Sequence, residues 1–444
     1  MLSIGRPRLV WLQSIRIIAC RSAGEFVSAT DMTDDEAMDA RSLTTPSRAT
    51  AIQQVWASPL YRGATLALFL SGLATSASLP QIVLFLVKEL GASLPVAGLY
   101  YLTGLTAPIA GYLVGSYSDR SGRRFGLFRL CAIAGALGWA GIALSTKPWM
   151  PFVIGTVILG FSGSATSQLF TAIHDDLKAK GTGANDSVVA IIRMALTAGW
   201  VIGPFLGAWC AVEIGLRPML WGTAICFFAQ IIPLGTQHAL ATPRQRADKK
   251  TDAVGHLGWS EMLPLLAFTG LYVLVYAGEP IKYGFLLLYM QDQLKLDPSI
   301  QGSVIGTQPF IELILMPFSV LLARRIGILW MMCVAAICGV MANLCFAAWP
   351  TAIGMFAGQI LMGGVWGLYM VLGLIVAQRL LPNAVATASA IFMSSSALAS
   401  ALGGGVGGVG VAYLGLPNVF YLPAAFSLAA ALGLAMMARS GAIK

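Results

Sequence analysis

Charge is what this chain has least of. Asp, Glu, Lys and Arg together make up 11% of its 444 residues, where soluble domains carry about 25%. That shortage excludes an ordinary water-soluble protein, because so much apolar surface needs lipid as its solvent. Histidine is scarcer still. His174, His238 and His256 are the whole set, spread over separate loops, and they offer no metal-ligand spacing. No metal and no other cofactor is expected. The 7 cysteines (Cys20, Cys131, Cys210, Cys226, Cys333, Cys338 and Cys345) include no C-x-x-C pair. All but Cys20 sit in apolar runs and read as small packing residues rather than a disulfide or zinc framework. Also missing are H-E-x-x-H, G-x-S-x-G, a clustered acidic pair and the G-x-x-x-x-G-K-S/T phosphate loop. An enzyme and an ATP-driven pump are therefore both disfavoured. The net charge of +9 is not gathered on a basic face interleaved with aromatics, so nucleic acid is not an expected partner.

What the chain has instead is apolar length: 57% hydrophobic residues and a mean hydropathy of +0.77. A helical pass needs about 20 apolar residues. Runs of that size fall near 63–88, 94–117, 125–146, 149–173, 188–213 and 217–236, then near 261–289, 300–322, 327–347, 351–378, 386–413 and 418–438. Six runs, a polar stretch and six more match the arithmetic of a duplicated bundle. The expected fold is an all-α membrane protein, twelve transmembrane helices in two six-helix pseudo-symmetric bundles. Its parts are a polar tail (1–58), a first bundle (59–236), a linker (237–259), a second bundle (260–438) and a short tail (439–444). The first tail carries an acidic patch from Asp31 to Asp39 and lacks a proper signal-peptide core, and Met32 is a second candidate start. Arg120, Arg123, Arg124, Lys178, Lys180, the linker, Arg324, Arg325, Arg379 and Arg439 all fall on one side, against Lys88, Lys147, Arg217 and Lys295 on the other. The positive-inside rule then places both termini and the linker in the cytoplasm of a cell inner membrane.

Between the second and third runs the chain reads G-S-Y-S-D-R-S-G-R-R, from Gly115 to Arg124. Asp119 would close one helix, Gly122 would allow a tight turn, and Arg123 and Arg124 would hold that turn at the cytoplasmic face. A plain positive-inside loop needs the arginines alone, without Asp119 or the glycines. In the fifth run, Gly199, Gly203 and Gly207 recur every four residues and share one helix face, with Pro204 to bend it. Such a face lets helices approach closely.

Charges inside the apolar runs are costly unless paired or wet. Glu312 sits mid-run between Phe310, Ile311, Leu313 and Ile314. It reads as a proton carrier or as a carboxyl group hydrogen-bonded to a neighbouring helix. Glu279 and Lys282 are three apart, on one face, with Pro280 between them as a helix breaker. They are an ion pair or a substrate contact. Arg193 is expected to face the cytoplasmic vestibule or a carboxylate. Gln168, Gln359, Trp366 and Glu312 fit the amides, carboxylate and aromatic face that a sugar ring calls for, drawn from a wider set that includes Gln81, Tyr100, Tyr101, Gln308, Tyr369 and Gln378. Each alone is more often interhelical glue.

The Gly115–Arg124 pattern resembles the loop after the second helix of the major facilitator superfamily, a class of secondary transporters. The G-x-x-x-G-P-x-x-G run resembles the motif associated with that superfamily's exporters. Within it, the chain resembles Set-type sugar efflux transporters over nearly all of 63–438. The matching pieces include L-P-Q-I-V-L-F-L-V-K-E-L-G-A, Q-L-F at Gln168, I-R-M-A-L-T-A-G-W-V-I-G-P with Arg193, Gly306-Thr307 before Glu312, Gln359, and Gln378 before Leu381-Pro382. The resemblance implies a monomeric exporter of sugars or glycosides working by alternating access, with protons as the counter-ion. It implies that Gly115, Asp119, Arg120, Gly122, Arg123 and Arg124 form the gating loop, with Asp119 latching onto a helix amino terminus of the other half. Gln168, Arg193, Glu279, Lys282, Gln359 and Trp366 would contact substrate, and Glu312 would couple to protons. The complete D-R-S-G-R-R loop leaves a drug-like substrate open, as in a multidrug/proton antiporter. A sugar importer of the same fold is the weaker alternative.

Overall fold

The computed structural model describes residues 48–180, 185–235 and 259–440, nearly all within a compact unit, Thr50–Lys444. The acidic patch, Met32, most of the first tail, nearly all of the linker and the last four residues lie outside the described residues. No β-strand occurs among the described residues, and helix falls on every one of the twelve apolar runs. Among the described residues, eight helices are long and apolar enough to cross a membrane, and a bent pair, Pro59–Ser78 with Gln81–Lys88, raises this to nine. That pair turns by 41° at Leu79-Pro80, where proline removes a backbone donor.

The second, sixth and eighth runs are helical without meeting that test, and irregular turns or prolines fall inside several runs. The second run passes through Leu94–Gly98, a 3-10 stretch Leu99–Thr106 and Ala107–Ser121. The fourth holds a π turn at Gly155–Leu159. The eighth is one helix, Pro298–Ile326, with Pro309 and Pro317 inside it. Asp297 caps that helix, accepting from the Ser299 N–H at 3.0 Å and the Ser299 hydroxyl at 2.6 Å. Those bonds, hydroxyl first, hold its carboxyl below the ordinary carboxylate range. In the seventh run the helix stops at Tyr276 and restarts at Gly278. The break lies about one turn before Pro280, where the proline ring would clash with the carbonyl four residues back.

Small residues decide which helices touch. A Cβ on Gly199 would come within 2.5 Å of Leu73 N and Phe69 O, and one on Gly207 within 2.5 Å of Ala77 O. The fifth run therefore lies backbone-to-backbone on the first, and Ser76 Oγ donates to Gly199 O across the contact at 3.1 Å. The eleventh run, Val385–Leu414, repeats this on the seventh through Gly403 and Gly407, which face Ala277 and Ile281. Third pairs with sixth as ninth pairs with twelfth. Across the halves, fifth meets eighth through Gly302 and Gly306, and eleventh meets second through Gly404 and Gly408. Adding six to each run number maps one set of contacts onto the other, which is the pseudo-twofold of the fold.

The apolar packing is divided unevenly along the bundle. At the end carrying Lys88 and Asp292, both halves share one core that includes Phe85, Tyr101, Trp139, Phe285, Tyr289 and Phe420. At the end carrying Arg124 and Arg324, each half keeps its own: Tyr61, Phe128, Leu169 and Ile192 in the first, Phe268, Met332, Tyr369 and Leu434 in the second. The bundle is sealed at its cation-poor end. Outward-facing Ile109, Leu130, Ile225 and Leu432, each more than half exposed, form the apolar surface that lipid would cover.

Candidate substrate site and gating loop

Glu279, Lys282, Gln308 and Trp366 converge in the second half. Lys282 Nζ lies 2.8 Å from both carboxylate oxygens of Glu279 and also donates to Gln308 Oε1. Trp366 Nε1 donates to Glu279 Oε1 at 2.7 Å. Lys282 is fully buried and Glu279 is 7% exposed, so this is an ion pair removed from water. A buried charge tolerates that only when partnered on several sides, and here three helices supply the partners. Gly363 and Gly367 make this possible. A Cβ on Gly363 would sit 2.9 Å from Gln308 O, and one on Gly367 2.9 Å from Leu315 Cβ, so the tenth run lies directly against the eighth.

An aromatic wall continues from Trp366. Its ring meets Tyr276 edge-on with centroids 4.9 Å apart, and Tyr272 lies 4.5 Å from Phe392 and 5.7 Å from Tyr369. Glu312 is one helical turn beyond Gln308, half-buried, and no hydrogen bond or ion pair to it occurs among the described residues. The charges within electrostatic reach of it are Glu279, Lys282 and, from the first half, the exposed Arg193. Gln359 lies on the same helix face as Trp366, seven residues earlier. It is fully buried, and neither of its amide atoms has a partner among the described residues.

Gln168 is placed elsewhere. Ser118 Oγ donates to its side-chain oxygen, which ties it to the loop after the second run and not to Glu279. In that loop Gly122 has φ +68°, the left-handed conformation that glycine adopts freely, and its N–H closes the helix on Ser118 O at 2.9 Å. Arg124 organises the turn: Nη1 reaches Asp119 Oδ1 and Ser118 Oγ, both at 2.7 Å, and Nε reaches Asp175 Oδ2 at 3.3 Å. Asp119 is 72% exposed and pairs within its own hairpin. That arrangement suits a bundle whose halves are apart at this end. Arg120 and Arg123 are exposed, with no carboxylate among the described residues at ion-pair distance. Gly115 has open space where a side chain would stand.

Sequence reasoning passed over Tyr272, Tyr276 and Phe392 as site residues, although Tyr272 and Tyr276 are four apart and point along one face toward Glu279. It also passed over Asp292, whose carboxylate meets Lys88 Nζ at 2.7 and 2.9 Å. No local pattern pairs two helix-end residues 204 positions apart.

The Major Facilitator Superfamily pattern matches residues 64–279 and 265–441. The chain belongs to that superfamily. It is similar to sugar efflux transporter A of Dickeya chrysanthemi, with 25% identity over 77% of this chain and 86% of that one. Sugar efflux transporter C of Escherichia coli (strain K12) is likewise 25% identical over 80% and 90%. A shorter match, 26% identical over 50% of this chain and 56% of the other, is to multidrug resistance protein MdtG of Proteus mirabilis. The crystal structure of nucleoside transporter NupG superposes with a TM-score of 0.71 at 18% identity, covering 86% of this chain and 99% of that one. This superfamily member is thus a multi-pass membrane transporter and not an enzyme.

Proposed function

We propose that this transporter exports sugars or glycosides from the cytoplasm across a cell inner membrane by alternating access, exchanging them for protons. The observation that carries this reading is the Glu279–Lys282–Gln308–Trp366 cluster with its wall of aromatic rings. Polyhydroxylated rings are held by carboxylates and amides at their hydroxyls and by aromatic faces at their C–H surface. Lys282 is neutralised where it stands, which favours an uncharged solute over an ion. The sugar efflux relatives support the same substrate class.

Gln359, with both amide atoms unpartnered among the described residues, is a further contact for hydroxyl groups, and Arg193 faces Glu312 from the other half. In this reading Glu312 carries the proton: ionised, it is held by Lys282 and Arg193; protonated, it releases them. Asp119 and the rest of the Gly115–Arg124 loop act as the inner latch when the halves close on that side. The two bundles, 59–236 and 260–438, move as bodies joined by the 237–259 linker, with both termini in the cytoplasm and one chain as the working unit.

Uptake into inside-out vesicles tests this reading. Labelled glycosides should accumulate when a pH difference is imposed and stop accumulating when it is collapsed. Accumulation of lipophilic cations without any glycoside would favour the multidrug antiporter, the reading that the MdtG relative and the complete D-R-S-G-R-R loop support.

A further inference from the structure

Beside the start of the first run lies a groove of about 380 Å³ that the transport reading does not use. Its walls are Val55 and Trp56 from the helix Arg48–Ala57, Pro59 and Leu66 from the first run, and Pro233 from the end of the sixth. Gly63 brings those last two together, since a Cβ there would meet Pro233 O at 2.5 Å. Thr65 also lines the groove, its hydroxyl donating to Tyr61 O at 2.7 Å; the other walls are apolar, and one cation, Arg62, enters among them. Arg62 is exposed, and no carboxylate among the described residues lies at ion-pair distance. Arg124, Arg217, Lys88 and Lys282 all have such partners.

The rim of the groove is exposed and apolar. Leu66, one turn along from Arg62, is 56% exposed, and Trp56 is 67% exposed. Chain order places Arg62 at the same end of the bundle as Arg123 and Arg124. That end is where tryptophan and basic side chains mark the headgroup level of a bilayer. We propose that this groove holds an anionic phospholipid, its phosphate on Arg62 and an acyl chain along Val55, Leu66 and Pro233. A cation set in an apolar groove beside lipid matches a molecule with one negative head and a long apolar tail. Guanidinium also pairs with phosphate through two parallel N–H bonds. A small soluble phosphate would leave the apolar walls unused.

Native mass spectrometry of the full-length protein in neutral detergent tests the site. The probes are phosphatidylglycerol, phosphatidylcholine with the same chains, and glycerol 3-phosphate. Phosphatidylglycerol should be retained about fivefold more tightly than phosphatidylcholine, the factor set by roughly one basic residue at a membrane surface. Arg62→Gln should abolish that preference and Arg62→Lys should keep most of it. Leu66→Asn, which spoils the wall and leaves Arg62 in place, should weaken both lipids alike. Equal retention of the two lipids by the unaltered protein overturns the proposal, as does a preference that survives Arg62→Gln. Displacement of the lipid by glycerol 3-phosphate would reassign the site to a soluble phosphate and overturn it as well.

Discussion

At Glu279 the indole N–H of Trp366 and the ammonium of Lys282 meet one carboxylate, all of them shielded from water. Removing one member strands the others, and a stranded buried charge costs about 3 kcal/mol or more. We predict that Glu279→Gln lowers thermal stability in detergent sharply, while Glu279→Gln with Lys282→Met recovers most of it. The double variant should still not transport, which separates folding from function; full transport by it would remove the pair from the site. Trp366→Phe keeps an aromatic face and deletes the donor. A hydrogen bond to a charged group contributes about 1.5–3 kcal/mol, so thermal stability in detergent should fall, though less than for Glu279→Gln. Parental stability in that variant would show that the bond to Glu279 contributes nothing. Glu312→Gln should abolish the dependence of export on the pH difference and leave substrate exchange running. A wild-type pH profile in that variant would exclude Glu312 as the proton carrier. The residues of this site were legible one at a time from residue type, since a carboxylate in an apolar run is conspicuous. Beyond the Glu279–Lys282 pair, their grouping was not. Gln168 has the right chemistry, yet Ser118 claims it for the loop, and only the bend of each helix decides such a contest.

Among the elements, the fifth run shows best what spacing alone can establish. A four-residue glycine repeat predicts a close helix contact, and Gly199, Gly203 and Gly207 lie against the backbone of the first run. We predict that Gly203→Val destabilises the protein by about 1–3 kcal/mol, the usual range for overpacking. Its side chain would meet Leu73 O at 2.7 Å, and backbone cannot swing aside. Gly222→Ala meets open space and should unfold at the parent temperature; equal effects of the two would contradict the packing argument. The partner helix was not legible, because a small face states that something approaches without stating what. The apolar runs themselves were legible to within a few residues. Breaks such as the one at Ala277 follow from proline chemistry, and the 3-10 and π turns in the second and fourth runs carry no comparable mark in the sequence.

On the scale of the whole molecule, six-plus-six runs and the loop at Gly115–Arg124 were sufficient to indicate the superfamily. The state of the bundle was invisible until the cores were seen: one shared between halves at the cation-poor end, two separate at the other. Lys88 and Asp292 cross the halves at the sealed end, and each lies near the end of a run related to the other by the pseudo-twofold. If the halves rock, that pair must separate in every cycle. The most direct test joins them: cysteines at Lys88 and Asp292, bridged by a short bifunctional thiol reagent that a reductant can cleave, with the parent protein treated in parallel. The alternating-access account predicts that bridging stops transport, that cleavage restores it, and that the treated parent is unaffected. Transport at the unbridged rate by the bridged protein would contradict it.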